Sequence, residues 1–342
     1  MKHPFLTTLL LLAAALILSV AVGSVFIPPA TLFQVLVGRV LNLHLTANQE
    51  GALQTATTII FQLRLPRTVL VALTGAALGG SGAAYQGLFR NPLADPYLIG
   101  VASGAGLGAV AAMAIHWPYT LGGLLAIPVA AFLAALVTVF LVYTLARVGK
   151  TAPTTNLILA GVALGSFATA LTSFLMLRSQ GDLHQAIVWL LGGGNMGGWQ
   201  PVVAVMPYIA LGLGVLLVMG HNLNVLQFGD EQALQLGVSV ETIRRIIIVA
   251  ASLTTAAAVA FSGVIGFVGL IIPHIIRLAW TSDYRHLVPL SIISGAWLLL
   301  FADVLARIVL APQELPVGII TALGGAPFFL WILRRAKSQA FW

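Results

Sequence analysis

From Phe5 to Phe26, from Thr68 to Phe89 and again from Leu121 to Ala146, the chain runs without one charged side chain. Each run matches the roughly 20 residues that a helix needs to cross the hydrocarbon core of a bilayer. Lipid offers no partner to an unpaired amide or carbonyl, so such segments must satisfy their backbone internally. The expected fold is therefore an all-α polytopic membrane protein. Composition agrees, with 59% hydrophobic and 7% charged side chains, against roughly 25% charged in soluble domains.

Ten spans are expected in the 342 residues: Phe5–Phe26, Thr68–Phe89, Ile99–Ile115, Leu121–Ala146, Asn156–Leu177, Val202–Met219, Ile246–Phe261, Ile265–Leu278, Val288–Leu310 and Val317–Leu333. Ile246 to Leu278 is nearly unbroken, too long for one span and short for two. Ser262-Gly263 is the natural break, and one half there is expected to enter without fully crossing. The first run is long and lacks an Ala-x-Ala-like cleavage site, so it reads as an uncleaved span rather than a signal peptide. The whole of 1–342 is expected to form a single transmembrane domain. Residues 1–26 supply its first span, 27–66 an extracytoplasmic segment, 221–245 a cytoplasmic segment and 246–342 the C-terminal spans. In 27–66, Thr31–Leu43 suits an amphipathic interfacial helix and Leu41–Thr55 a loop.

Lysine and arginine set the orientation. With the N-terminus inside, 11 basic residues face the cytoplasm and only Arg39, Arg64, Arg67, Arg178 and Arg307 fall outside, 5 in all. Both termini are expected in the cytoplasm of a multi-pass plasma or inner membrane protein. The net charge of +7 is dispersed at span ends, which argues against a nucleic-acid partner and for membrane lipid. Without cysteine, disulfides, thiolate metal sites and thiol nucleophiles are excluded.

Glycines recur four apart at Gly75/Gly79, Gly100/Gly104/Gly108 and Gly161/Gly165. Small residues at this spacing let backbones approach closely in lipid, and tight packing within the chain is the expected use. One polar island, Leu226 to Arg245, interrupts the apolar runs. It carries three of the nine acidic residues and two arginines, and suits a short amphipathic element presented to a partner on the cytoplasmic face.

Other chemistry is sparse. Gly149-Lys150-Thr151 lacks the first glycine of a phosphate-binding loop, since Thr144 stands there, and it follows a membrane helix rather than a strand. ATP hydrolysis by this chain is not expected. Histidines 3, 44, 116, 184, 221, 274 and 286 show no metal-ligand spacing, although His184 or His116 could touch a metal-containing substrate. No catalytic residue, metal site or cofactor is assigned. Asp303 and Arg307 share a helix face and read as a local pair neutralising the carboxylate, in preference to a proton relay. Arg64-Leu65-Pro66-Arg67 opens the second span. Two arginines outside suit either snorkelling to lipid phosphates or an acidic docking partner.

The blocks Arg64-Leu65-Pro66-Arg67, Gly75-Ala76-Ala77-Leu78, Arg90-Asn91-Pro92-Leu93-Ala94-Asp95-Pro96, Gly266 to Arg277, Asp303 to Arg307, Glu314 to Gly318 and Gly325-Ala326-Pro327-Phe328 together resemble the FecCD family of ABC-transporter permeases. The resemblance implies a type II importer fold with ten transmembrane helices. It also implies a second permease copy (a homodimer), two cytoplasmic ATPases that bind ATP and Mg, and an extracytoplasmic substrate-binding protein. By the same resemblance Gly229, Asp230, Glu231, Ala233, Leu236, Gly237, Arg244 and Arg245 belong to helices coupled to the ATPase, and Arg64, Arg67 and Arg307 to the docking surface for the binding protein. The expected cargo is a bulky metal chelate: ferric siderophore first by family frequency, with cobalamin or haem as alternatives. An ion-coupled secondary transporter is the competing class, disfavoured because Asp303 is nearly alone among the spans.

Overall fold

A computed structural model describes residues 3–23, 27, 50–115, 121–178, 183–194 and 196–339. Its helices are α1 (Pro4–Ala21), α2 (Glu50–Thr58), α3 (Leu65–Leu88), α4 (Val101–Met113), α5 (Leu121–Ala146), α6 (Thr154–Arg178) and α7 (Leu183–Leu190). They continue with α8 (Trp199–Val218), α9 (Gly220–Leu226), α10 (Asp230–Gln235), α11 (Val240–Ser262), α12 (Val268–Ala279), α13 (Tyr284–Ile308) and α14 (Val317–Gln339). No strand occurs among the described residues.

Each of the ten expected spans falls on a helix. Among the described residues seven helical segments are long and apolar enough to cross a membrane, and Val101–Met113, Val268–Ala279 and Val317–Ile332 are shorter apolar helices. Twelve residues in α12 rise about 18 Å, well short of a core about 30 Å thick. The break after Ser262 is where the sequence places it: Gly263 has φ +75 and Phe267 φ +70, and between them the chain leaves helical geometry.

Two boundaries differ from expectation. The second span does not begin at Thr68, because Glu50 to Leu88 is one continuous helical segment. It consists of α2, a π-helical turn over Ile59–Arg64 and α3. Residues 50–55, expected in a loop, are thus largely helical, while the interfacial helix expected over Thr31–Leu43 lies outside the described residues. The seventh span starts at Val240 rather than Ile246, so the end of the polar island is the first turn and a half of a membrane helix.

Packing sorts the helices by side-chain size. α3, rich in glycine and alanine, is the most enclosed, with α11 and α13 against it, while α1, α5 and α6 are largely peripheral. The glycine spacing explains the centre. A methyl group at Gly75 would strike the Gly295 carbonyl, and one at Gly79 would strike that of Ser291, so α3 and α13 meet backbone to backbone. Gly104 and Gly108 seat α4 on Thr138 and Ala130 of α5 in the same way. All these contacts lie within one chain. Polar bonds tie α3 to α11 and α12: Tyr85 Oη lies 2.8 Å from Ser252 Oγ, Ser81 Oγ donates to the Ala251 carbonyl at 3.2 Å, and Arg277 donates to Gln86 Oε1 at 3.1 Å.

Candidate functional sites at the two ends of the bundle

α3 has 24 residues and so separates two polar clusters by about 35 Å. At its N-terminal end the three arginines singled out in the sequence come together. Each is put there by a different element: Arg64 by the π-helical turn, Arg67 by the first turn of α3, and Arg307 by the end of α13.

Arg64 and Arg307 are buried, at 6% and 3% exposure. Arg64 Nη1 donates to the carbonyls of Val20 and Ala21, both at 2.9 Å. Arg307 Nη1 donates to Ser19 and Val22 at 3.1 and 2.9 Å, and its Nη2 to Ser19 Oγ at 3.1 Å. The last carbonyls of a helix have no partner within it and form the negative end of its dipole. Two cations from distant segments therefore cap α1. Asp303, fully buried, accepts from Arg67 Nη2 at 2.9 Å and lies 3.0 Å from Arg307 Nε. The i,i+4 pair read from the sequence is thus present, with Arg67 as a third member. Arg67 also pairs with Glu314 at 2.6 Å.

These groups border an open cleft of about 1020 Å³, whose lining includes Arg67, Glu314, His184, Met196 and Gly192 to Gly194. Arg64 and Arg307 also reach its wall, but their donors are engaged with α1. Arg67, 22% exposed, and Glu314, 38% exposed, are the charges offered to anything outside. Glu314 was not among the site candidates read from the sequence; its place at the head of the block Glu314 to Gly318 was the signal available. His184 is exposed at the cleft, and His116 lies outside the described residues. No group of three or more potential metal ligands occurs among the described residues.

At the opposite end, α9 and α10 project as two short helices before α11. Gly229 (φ +103) and Gly237 (φ +79) flank α10 in left-handed geometry. A side chain at Gly237 would meet nothing. Glu231 and Leu236 are exposed, and five of the expected coupling positions (229, 230, 231, 236 and 237) sit in or beside the projecting hairpin. Ala233 (0%) and Arg244 (5%) do not reach the surface of the chain. Phe228 at 65% and Leu234 at 60% exposure also face outward in this segment, although neither was among the site candidates read from the sequence.

Arg244 holds the hairpin in place. Its Nη2 meets Asp230 at 2.8 Å and its Nη1 meets Glu241 at 2.9 Å. Glu241 also accepts from Tyr143 Oη at 2.7 Å and from the amide of Ala152 at 3.3 Å. Arg90, at φ +50, reaches Asp230 at 3.3 Å, and Gln227 donates to the Gly87 carbonyl at 2.9 Å. Through these bonds α10 is tied to α11, to the turn between α5 and α6, and to the end of α3.

Asp95 lies in the neighbouring loop and caps the turn over Pro96–Ile99, accepting from the Tyr97 amide at 2.7 Å. Burial pushes its carboxyl up to about 6, while the Tyr97 hydrogen bond opposes the shift. A raised folded-state pKa contributes stability at low pH that is lost as pH rises through it. The window here runs from the ordinary 3.8 to about 6. Asp95→Asn keeps a capping oxygen and is expected to flatten thermal stability across that window, as thermal scans at several pH values would read.

A profile of the FecCD transport family matches residues 10–335. Among relatives, the chain is 44% identical over 327 residues to the ABC transporter permease protein YvrB of Bacillus subtilis, covering 95% of this chain and 91% of that one. It is 45% identical over 292 residues to the cobalamin import system permease protein BtuC of Halobacterium salinarum, covering 85% and 78% respectively. Among solved structures it superposes with a TM-score of 0.81 at 28% identity on an inward-facing chain assigned to the metal-chelate type of ABC transporter, covering 97% of this chain and 98% of that one.

Proposed function

The chain belongs to the FecCD transport family of ABC-transporter permeases, and from that premise we propose that it imports a cobalt corrinoid. It works as one of two permease copies, with two cytoplasmic ATPases on the α9–α10 hairpins and a substrate-binding protein at the arginine end. The reading rests on one observation: the exposed hairpin and the charged cleft stand at opposite ends of a bundle whose central helices meet backbone to backbone. Such a body can carry a displacement at one end to the other without a catalytic group of its own. Bonds from Arg244, Glu241 and Gln227 provide the linkage at the ATPase end.

The cargo assignment moves from the ferric siderophore expected from family frequency to cobalamin, because a relative at 45% identity carries a cobalamin name. Haem is the next candidate. A proton-coupled mechanism fits poorly, since Asp303 is nearly alone among the spans and is paired with both Arg67 and Arg307. The test is uptake into proteoliposomes holding the permease, its ATPase and its binding protein. ATP-dependent accumulation of cyanocobalamin, and not of haemin or ferric hydroxamate, is expected. Uptake driven by a proton gradient with the permease alone would overturn the reading.

Docking is expected to depend on Arg67 more than on its neighbours. Exposed charge pairs contribute about 0.2–1 kcal/mol, so Arg67→Gln should weaken binding-protein affinity by no more than about fivefold. Arg64→Gln should instead lower thermal stability by uncapping α1. Titration with the binding protein and thermal scans of both variants separate the two roles.

A further inference from the structure

Beside the hairpin, α8 and α11 leave a groove of about 470 Å³ between them. Leu211 and Val215 form one wall, and Ile246, Val249 and Leu253 the other. Gly212 closes the floor, since a side chain there would meet Thr254 Oγ1. The rim is open: Leu211 is 62% and Val249 65% exposed. Along α11 the groove runs from Thr242 to Leu253, about 16 Å at the helical rise. That equals roughly half of a 30 Å hydrocarbon core, the depth of one leaflet.

One end of the groove is cationic. Arg245 lines it, donates to Thr242 Oγ1 at 3.5 Å and, unlike Arg244, makes no ion pair among the described residues. The neighbouring carboxylate, Glu241, is engaged by Arg244, Tyr143 and Ala152. Arg147 lies on the same side, close enough to act with Arg245 on the Tyr143 hydroxyl. A leaflet-deep apolar slot with free guanidinium at its mouth matches a lipid whose head carries negative charge.

We propose that this groove holds an acyl chain of an anionic phospholipid from the leaflet on the hairpin side, with Arg245 against its phosphate. Arg245 then serves the lipid rather than the ATPase. Because Arg245 follows Arg244 directly in the first turns of α11, an occupied groove braces the helix that carries the hairpin's main ionic support. The proposal is independent of which cargo is carried.

The test uses delipidated full-length permease in complex with its ATPase, titrated with dioleoyl-phosphatidylglycerol or dioleoyl-phosphatidylcholine. Retained lipid is read by native mass spectrometry and stabilisation by thermal shift. A cation near the headgroup favours the anionic lipid by about fivefold. That preference is expected in the natural chain and in Arg245→Lys, and is expected to fall to parity in Arg245→Gln. Equal retention of both lipids by the natural chain overturns the proposal, as does an unchanged preference in Arg245→Gln. Should that variant not fold, Val249→Trp decides: the bulky ring fills the slot and should abolish retention of the anionic lipid, whereas undiminished retention refutes the site.

Discussion

Replacing Asp303 with alanine is expected to cost about 3–5 kcal/mol, the range for removing one partner of a buried ion pair. The residue has no exposed surface, and its carboxylate is the shared anion of Arg67 and Arg307. Without it Arg307 is a buried cation facing only carbonyls and a hydroxyl. Arg67 keeps Glu314 and some access to water, so the loss falls chiefly on the α13 side. Asp303→Asn should lie between alanine and the natural residue, because it keeps a hydrogen-bond acceptor but not the charge. Thermal unfolding of the purified variants in detergent reads the order. If Asp303→Ala unfolds at the same temperature as the natural chain, the ionic account of this end is wrong.

The second large effect is expected at the other end. Arg244→Met removes the cation shared by Asp230 and Glu241 while keeping an unbranched apolar stem. Hydrogen bonds to charged groups contribute about 1.5–3 kcal/mol, so retention of the ATPase and the uptake rate should fall roughly tenfold to a hundredfold. Since both carboxylates are partly exposed, water can replace some of what they lose, and the bundle itself should remain folded. Co-purification with the ATPase, followed by a transport assay, measures both quantities. Arg244→Lys should recover only part, since an ammonium cannot bridge two carboxylates as a planar fork does. A methionine variant with full assembly and full uptake would remove Arg244 from the linkage.

The apolar runs made the helical architecture legible, and Ser262-Gly263 marked the one break that hydropathy alone would hide. Glycines four apart foretold packing inside the chain, because a Cβ at those positions has nowhere to go. The helix starts at Glu50 and Val240 were not legible. Those segments carry Arg64, Glu241, Arg244 and Arg245, and a charge count stops a span where charges begin. Tertiary partners let the helix continue: Arg64 answers α1 from 44 and 43 residues away, and Asp303 answers Arg67 across 236. Spacing rules see one helix face at a time and cannot see such pairs. Polarity likewise marks a projecting segment without saying which of its sides is inward, and Ala233 and Arg244, named with the rest of that segment, are buried.

The capping of α1 by Arg64 and Arg307 carries a consequence for how the chain is made. A ribosome delivers α1 to the bilayer first, and the second of its two arginine clasps arrives 288 residues later. Until then the C-terminal carbonyls of the helix are capped by Arg64 alone, with the remaining ones left to interfacial water. Synthesis order thus becomes fastening order, and a nascent chain arrested before α13 should leave its first helix easier for proteases and quality-control machinery to pull away.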